Sequence, residues 1–249
     1  MVKKQLSADY PTLVVFCKRP KLNQGKQRLV EAISTENALL IAEGLLACAI
    51  EDTKFWQGSV VIACSDKSDV QWAQALNAKA EVITQLPLIS ANSSTDTLTN
   101  NSTGNLGERL NYVDSELRAL GHKKIVIIGT DAPILNIVHY QAAVTALNEH
   151  DVVLSHADDG GVIIMANSTP WPNISLLPWS TEHLSQALAK ICSDEGLSVH
   201  YSTPGYDIDY ITDIEKLKVD LIDDHRPARQ ALLVIINKLF ISSGTTNYA

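Results

Sequence analysis

The stretch that most constrains this chain is Lys123–Pro133, reading Lys-Lys-Ile-Val-Ile-Ile-Gly-Thr-Asp-Ala-Pro. Its apolar run, Ile125–Ile128, is continuously β-branched, the pattern of a strand buried on both faces. Such a strand needs a covering layer on each side, which points to an α/β architecture. Gly129 lets the backbone turn, Asp131 sits just past the strand end, and Pro133 closes the turn. Two readings of Asp131 stand side by side. It caps the helix expected at Ile137, or it is a site carboxylate at the strand's carboxyl end, where open α/β sheets collect ligands.

The rest of the chain alternates to match. Strands are expected at Leu13–Cys17, Ser59–Cys64, Ala80–Thr84, Asp151–Ser155, Gly161–Ala166 and Leu197–Ser202. Helices are expected at Thr35–Thr53, Asp69–Asn77, Gly107–Leu120, Ile137–His150, Thr181–Glu195, Asp213–Leu221 and Pro227–Phe240, with Ser34 or Thr35 as N-cap of the first. This order predicts an α/β sandwich on a mainly parallel sheet, with all of residues 1–249 in one domain and no internal repeat. Pro87–Gly104, rich in Ser, Thr and Asn, reads as a solvated insertion or as a flap at a site mouth. The C-terminal helix reads as packing on the body or, in a homo-oligomer, on a second subunit.

Charge narrows the function classes. The net charge of −8 over 249 residues provides no bulk footprint for nucleic acid or anionic lipid. Any anion site must be a local basic cluster. Cys17, Cys48, Cys64 and Cys192 lie far apart in apolar segments, which predicts reduced buried thiols in a cytoplasmic protein. The start lacks the apolar core of a signal peptide, and Ala231–Ile241, broken by Asn237 and Lys238, is too short for a bilayer span.

The local basic cluster follows the first strand. Lys18, Arg19, Lys21, Lys26 and Arg28 fall within eleven residues. A loop there either wraps phosphates, with Arg as fork and Lys as point charge, or is merely solvated; its isolation in an acidic chain favours phosphate. It is not a Walker A loop, because Gly25-Lys26 lacks the preceding glycine spacing and a following Ser or Thr. Two acidic clusters come later. Asp158-Asp159-Gly160-Gly161 reads as a tight turn, either beside a ligand or within a simple hairpin. Asp207-Ile208-Asp209, if extended, puts two carboxylates on one face, and with Asp131 they suit Mg²⁺ or Mn²⁺ completed by diphosphate oxygens.

Taken in order, these motifs resemble a bacterial family of nucleotide-diphospho-sugar transferase-like proteins of the GT-A fold, glycosyltransferases associated with arsenosugar biosynthesis. The likeness runs over about residues 13–220, leaving a C-terminal helix at 222–249. It rests on Phe16, Lys18, Pro20, Lys26, Arg28 and Leu29; on Gly104, Leu106, Gly107, Glu108, Arg109 and Leu110; on Gly129, Asp131 and Pro133; on Asp159, Gly160 and Gly161; on Trp179, Ser180 and Thr181; and on Asp207, Asp209 and Asp213. More distantly the chain resembles guanylyltransferases of cofactor biosynthesis. The resemblance implies a three-layer GT-A sandwich with a mixed sheet. It also implies metal-dependent glycosyl transfer from a nucleotide-diphospho-sugar to a small-molecule acceptor.

The roles it implies are specific. Asp131 and Asp209 hold Mg²⁺ or Mn²⁺, and Lys26 and Arg28, with Lys18, meet phosphate. Gly107 and Arg109 belong to the substrate site. Asp159, with Gly160 and Gly161, binds a sugar or acceptor hydroxyl or acts as base. Trp179 stacks on a sugar or packs in the core, with Ser180 and Thr181 beside it. Nucleotidyl transfer from an NTP and non-catalytic nucleotide binding are the alternatives. The chain departs from the family pattern at Leu22-Asn23, Gln27, Asn105 and Val162.

Overall fold

The computed structural model describes residues 10–86 and 104–244, with side chains through residue 241. Of the expected Ser/Thr/Asn-rich segment, residues 87–103 lie outside the described residues. The described chain forms one seven-stranded sheet: β1 (Thr12–Cys17), β2 (Val60–Cys64), β3 (Glu81–Thr84), β4 (Ile125–Ile128), β5 (Val152–His156), β6 (Val162–Asn167) and β7 (Val199–Tyr201). The spatial order is β3-β2-β1-β4-β6-β5-β7. Every neighbouring pair is parallel except those involving β6, which runs antiparallel to both β4 and β5.

Among the described residues eight α-helices accompany these strands: α1 (Gln27–Ile33), α2 (Thr35–Thr53), α3 (Val70–Leu76), α4 (Leu106–Ala119), α5 (Ile137–Ala146), α6 (Leu184–Asp194), α7 (Ile211–Asp220) and α8 (Pro227–Gly244). They cover both faces of the sheet, and the strand pattern shows why. In β4 the side chains alternate between two cores, although all four are apolar and buried. Val126 and Ile128 pack with Leu46, Ala49 and Ile50 of α2 and Tyr140 and Ala143 of α5. Ile125 and Ile127 pack on the other face with Leu110, Val113 and Leu117 of α4 and Leu188 and Cys192 of α6. Successive strand side chains point to opposite faces, so only an unbroken apolar run fills two cores at once.

A third cluster lies outside the first layer. Leu232, Ile236 and Leu239 of α8 pack with Ile41, Leu45 and Cys48 of α2 and with Ile214 and Leu217 of α7. The C-terminal helix therefore packs on the body. Gly44 makes the close approach possible, since a Cβ there would stand 2.8 Å from Leu232 Cδ1. The fully buried Arg229 of α8 pairs with Glu51 and Asp52 of α2 and donates to the carbonyls of Cys48, Pro133 and Leu135.

Two local expectations are corrected. Gln27 and Arg28, read as the end of the basic loop, open helix α1, which runs on to Ile33. Leu29, Val30 and Ile33 bring it against the third cluster, so tertiary burial supplies what its cap does not. The cap of α5 is Asn136, whose side chain accepts from Val138 N at 2.9 Å. That removes Asp131 from the capping role. Ser34 caps α2, accepting from Asn37 N. Element ends otherwise shift by a few residues, most at α5, which stops at Ala146, and α8, which runs on to Gly244. Among the described residues no helix is long and apolar enough to cross a membrane.

Candidate functional site

Topology decides which loops meet. Strands β1, β2, β3, β4, β5 and β7 all point the same way, so the segments following each of them emerge at one edge. Those segments carry Lys18–Lys26, Ser65, Gln85, Asp131, Asp158–Gly161 and Asp207–Asp209. At that edge lies a cleft of about 540 Å³, lined among others by Lys18, Arg28, Arg109, Asp131, Asp159 and Asp209.

The basic loop divides into two kinds of cation. Arg19 and Lys21 reach the buried carboxylate of Asp69 at 3.5 and 3.1 Å, and Arg19 also lies over Trp72. These two are committed to holding the loop. Lys26 instead turns to the late acidic segment, donating to Ile208 O at 2.5 Å and standing 3.2 Å from Asp209 Oδ1 and 3.7 Å from Asp131 Oδ2. Arg28 meets Asp209 Oδ2 at 2.7 Å and stacks on Tyr210. The backbone that presents Lys26 is sharply wound, with positive φ at Asn23 (61°), Gly25 (77°) and Lys26 itself (48°). A non-glycine residue held there persists when its surroundings over-determine it, as Lys26's three partners do.

The carboxylates are mounted as firmly. A Cβ on Gly129 would lie 2.7 Å from Asp131 Oδ1, so glycine leaves the room into which that carboxylate folds. Ile208 N donates to Asp131 O at 2.9 Å, which joins the two acidic segments. Ile208 is buried between Asp207 and Asp209, and both neighbours line the cleft. Asp213 Oδ2 accepts from the backbone N–H groups of Asp209 and Tyr210, bracing the turn. Burial first, then the charges of Asp131, Asp159 and Asp209, push the Asp207 carboxyl up to about 7. Four carboxylates thus face a small region in which they repel one another. Among the described residues no group of three or more His, Cys, Asp or Glu side chains is disposed to hold a metal ion.

The Asp-Asp-Gly-Gly segment is the β5–β6 hairpin turn, and it also borders the cleft. Asp159 accepts from Gly161 N at 2.8 Å and both residues line the cavity, whereas Asp158 faces Lys216 at 2.7 Å. Gly160 (φ 86°) is a packing glycine, because a Cβ would stand 2.0 Å from Glu182 O. Gly107 has the same character: a Cβ would meet Ile174 O at 2.3 Å and Trp179 Nε1 at 2.6 Å. Trp179 has one edge in the core, with Nε1 donating to Ile174 O at 3.0 Å, and another in the cleft wall beside Ser180 and Thr181. Ser180 adopts φ 64°, and the Thr181 hydroxyl donates to Pro178 O. Asn105, where the family pattern has an acid, forms a capping box with Glu108 at the start of α4.

Gln85 was not singled out from the sequence. It is buried, donates to Cys17 O and Ala63 O, and accepts from Arg109 Nη1 at 3.2 Å. The available signal was slight, a glutamine directly after Thr84 at the carboxyl end of β3.

The sheet order, the two covering layers and the cleft at the strands' carboxyl ends define the fold of nucleotide-diphospho-sugar transferases. Residues 49–181 match the family described as "Uncharacterized protein conserved in bacteria (DUF2064)", and the chain belongs to that family. Among solved structures, the chain is similar to a "putative nucleotide-diphospho-sugar transferase" from Desulfovibrio desulfuricans G20 (TM-score 0.77, 18% identity, covering 93% of this chain and 97% of that one). It is also similar to a cytidylyltransferase from Leptospira borgpetersenii serovar Hardjo-bovis (TM-score 0.50, 15% identity, covering 96% and 97%). No curated protein matches the sequence.

Proposed function

We propose that this protein is a metal-dependent transferase that takes a nucleotide-diphospho-sugar as donor and passes the glycosyl group to a small-molecule acceptor. The observation that carries the reading is that Arg28, Asp131 and Asp209 line one cleft at the strands' carboxyl ends, with the Lys26 ammonium paired to both carboxylates. Cations and carboxylates alternating there suit a diphosphate bridged by a metal ion.

The residues fit such an ion. Asp131 and Asp209 turn their oxygens onto one positive charge, the Lys26 ammonium, so the pair is already arranged around a cation. Two carboxylates plus substrate phosphate oxygens make a common Mg²⁺ or Mn²⁺ site. When bound, the ion would supply charge neutralisation to the diphosphate leaving group. Lys26, Arg28 and Lys18 hold the phosphates electrostatically, the first two from positions fixed by their carboxylate partners. Asp159 offers an acceptor for a hydroxyl proton and Gly161 a close backbone surface. Trp179, Ser180 and Thr181 form a wall for a sugar ring. Gly107 and Gly160 contribute by letting that wall and the hairpin pack tightly.

A second reading is nucleotidyl transfer from an NTP to a phosphorylated small molecule, favoured by the likeness to a cytidylyltransferase. Thermal shift with Mn²⁺ and UDP-, GDP- and dTDP-sugars against free NTPs separates the two. Stabilisation by a nucleotide-sugar supports glycosyl transfer. Selective stabilisation by an NTP, with pyrophosphate released on adding a phosphorylated acceptor, replaces it with the second reading. No shift by any nucleotide, with or without metal, leaves a non-catalytic protein.

A further inference from the structure

The arginines show which positive charge is still available. The sequence contains six, and five have carboxylate partners: Arg19 with Asp69, Arg28 with Asp209, Arg118 with Asp114, Arg226 with Asp52 and Asp224, and Arg229 with Glu51 and Asp52. Arg109 has none among the described residues. Its contacts are neutral, Nη1 donating to Gln85 Oε1 at 3.2 Å and Nε to Asn105 O at 3.4 Å. The side chain is half-buried in the cleft wall, and burial lowers its pKa from the usual arginine value. A guanidinium remains charged even so, and a partly desolvated charge without a counter-ion is costly to keep.

The position is also preset. Gln85 is buried, and its amide nitrogen donates to the carbonyls of Cys17 at 3.2 Å and Ala63 at 2.8 Å, at the ends of β1 and β2. A flipped amide would turn its oxygen onto both carbonyls, so the orientation is determined and Oε1 is left to accept from Arg109. Arg109 is thus held by its Nη1 and Nε edge, with Nη2 free of these contacts. Leu106, Leu110, Met165 and Trp179 line the same cleft and lower its polarity around the charge.

We propose that Arg109, oriented by Gln85, is the receptor for an oxyanion group, carboxylate or phosphate, carried by the acceptor substrate. This rests on the proposed function in assigning the donor's diphosphate to Lys26 and Arg28. Those two cations are tied to Asp209 beside the β4 turn, whereas Gln85 sets Arg109 over the ends of β1 and β2. The acceptor class is therefore an anionic small molecule, a sugar acid or a phosphate ester, and not a neutral alcohol. Arginine suits this task because its planar fork pairs both oxygens of such a group.

The test uses calorimetric titration of the full chain with inorganic phosphate, acetate and, with Mn²⁺, UDP and GDP. Phosphate or acetate binds the wild type, and Arg109→Gln weakens that binding about tenfold or more while nucleoside diphosphate affinity stays within about twofold. Arg109→Lys keeps the charge without the fork and recovers only part of the anion binding. Lys26→Gln shows the opposite pattern, losing the nucleoside diphosphate first. Equal losses of anion and nucleoside diphosphate in Arg109→Gln would assign the residue to the donor and overturn the proposal. Anion binding that ignores Arg109, or no anion binding to the wild type, overturns it as well. If no nucleoside diphosphate binds but Arg109-dependent phosphate binding persists, the proposed function fails and the anion receptor stands.

Discussion

Lys26 and Asp209 are 183 residues apart in the chain and 3.2 Å apart in space. The contact closes the loop after β1 onto the segment after β7, and both lie against the Asp131 turn after β4. A lysine in left-handed backbone geometry is held there by this late carboxylate, by Ile208 O and by Asp131. The charges at the centre of the candidate site therefore balance one another across three separate parts of the sequence.

Asp131→Asn is expected to abolish Mn²⁺-dependent stabilisation by nucleotides and leave the fold intact. The side chain is 42% exposed and its recorded ion pair, with Lys26, is a long one at 3.7 Å, so the change in stability stays within about 1 kcal/mol. Thermal shift with and without Mn²⁺ checks both parts. An undiminished Mn²⁺ effect in the variant sinks the metal assignment.

Gly160→Ala is expected to destabilise strongly, because φ is +86° and the new Cβ meets the Glu182 backbone at 2.0 Å. The suitable control is Gly121→Ala, where φ is +95° but nothing lies within 4 Å. The control pays only left-handed strain, about 1–2 kcal/mol, and the Gly160 change adds about 2 kcal/mol or more through displaced backbone. Urea midpoints of the two variants give the comparison; similar losses would mean that the Glu182 contact does not matter.

Arg229→Met removes the buried partner of Glu51 and Asp52 and is expected to cost about 3–5 kcal/mol at neutral pH. The loss shrinks at acid pH, where protonation of Asp52 removes a charge that Arg226, at 2.9 Å, would otherwise balance alone. Burial already raises the pKa of Asp52, and without Arg229 it rises further. Urea denaturation at pH 5 and pH 8 measures the difference. A loss independent of pH would show that packing, and not charge, is what Arg229 provides.

His139 contributes an acid-side dependence. Burial, and secondarily Arg226, lowers its pKa from the ordinary value, while the hydrogen bond with Pro204 works in the opposite direction. Below the unfolded value of about 6.5 the unfolded chain takes up a proton that the folded chain resists, so this contribution to stability falls as pH falls through that range. His139→Gln is expected to flatten the slope between pH 7 and pH 5 by up to about 1.4 kcal/mol per pH unit. A slope identical to the wild type would assign the acid sensitivity elsewhere.

Local patterns revealed much of the fold. The apolar run of Ile125–Ile128 announces a strand with both faces covered, and the helix over Thr35–Thr53 follows from apolar spacing and a serine cap. Those features depend on residues within one or two turns of each other, the range over which sequence period and capping act. Helix α1 escaped because its seven residues carry no side-chain cap and gain their stability from burial against α2 and α7.

The site divides along the same line. The sequence by itself determined the chemistry on offer: a basic cluster after the first strand, a carboxylate past the fourth, and two later acidic groups in an otherwise acidic chain. Tertiary structure decided which of those groups are free to act. Asp69 takes Arg19 and Lys21 out of play, Asp209 holds Lys26 and Arg28 at the cleft, and Gln85 sets Arg109 in the cleft wall with no counter-charge among the described residues. The physical reason is that an ion pair forms at a few ångströms, while the partners lie tens to hundreds of residues apart. The sheet order that brings them together is settled by burial of the whole core, which no local stretch encodes.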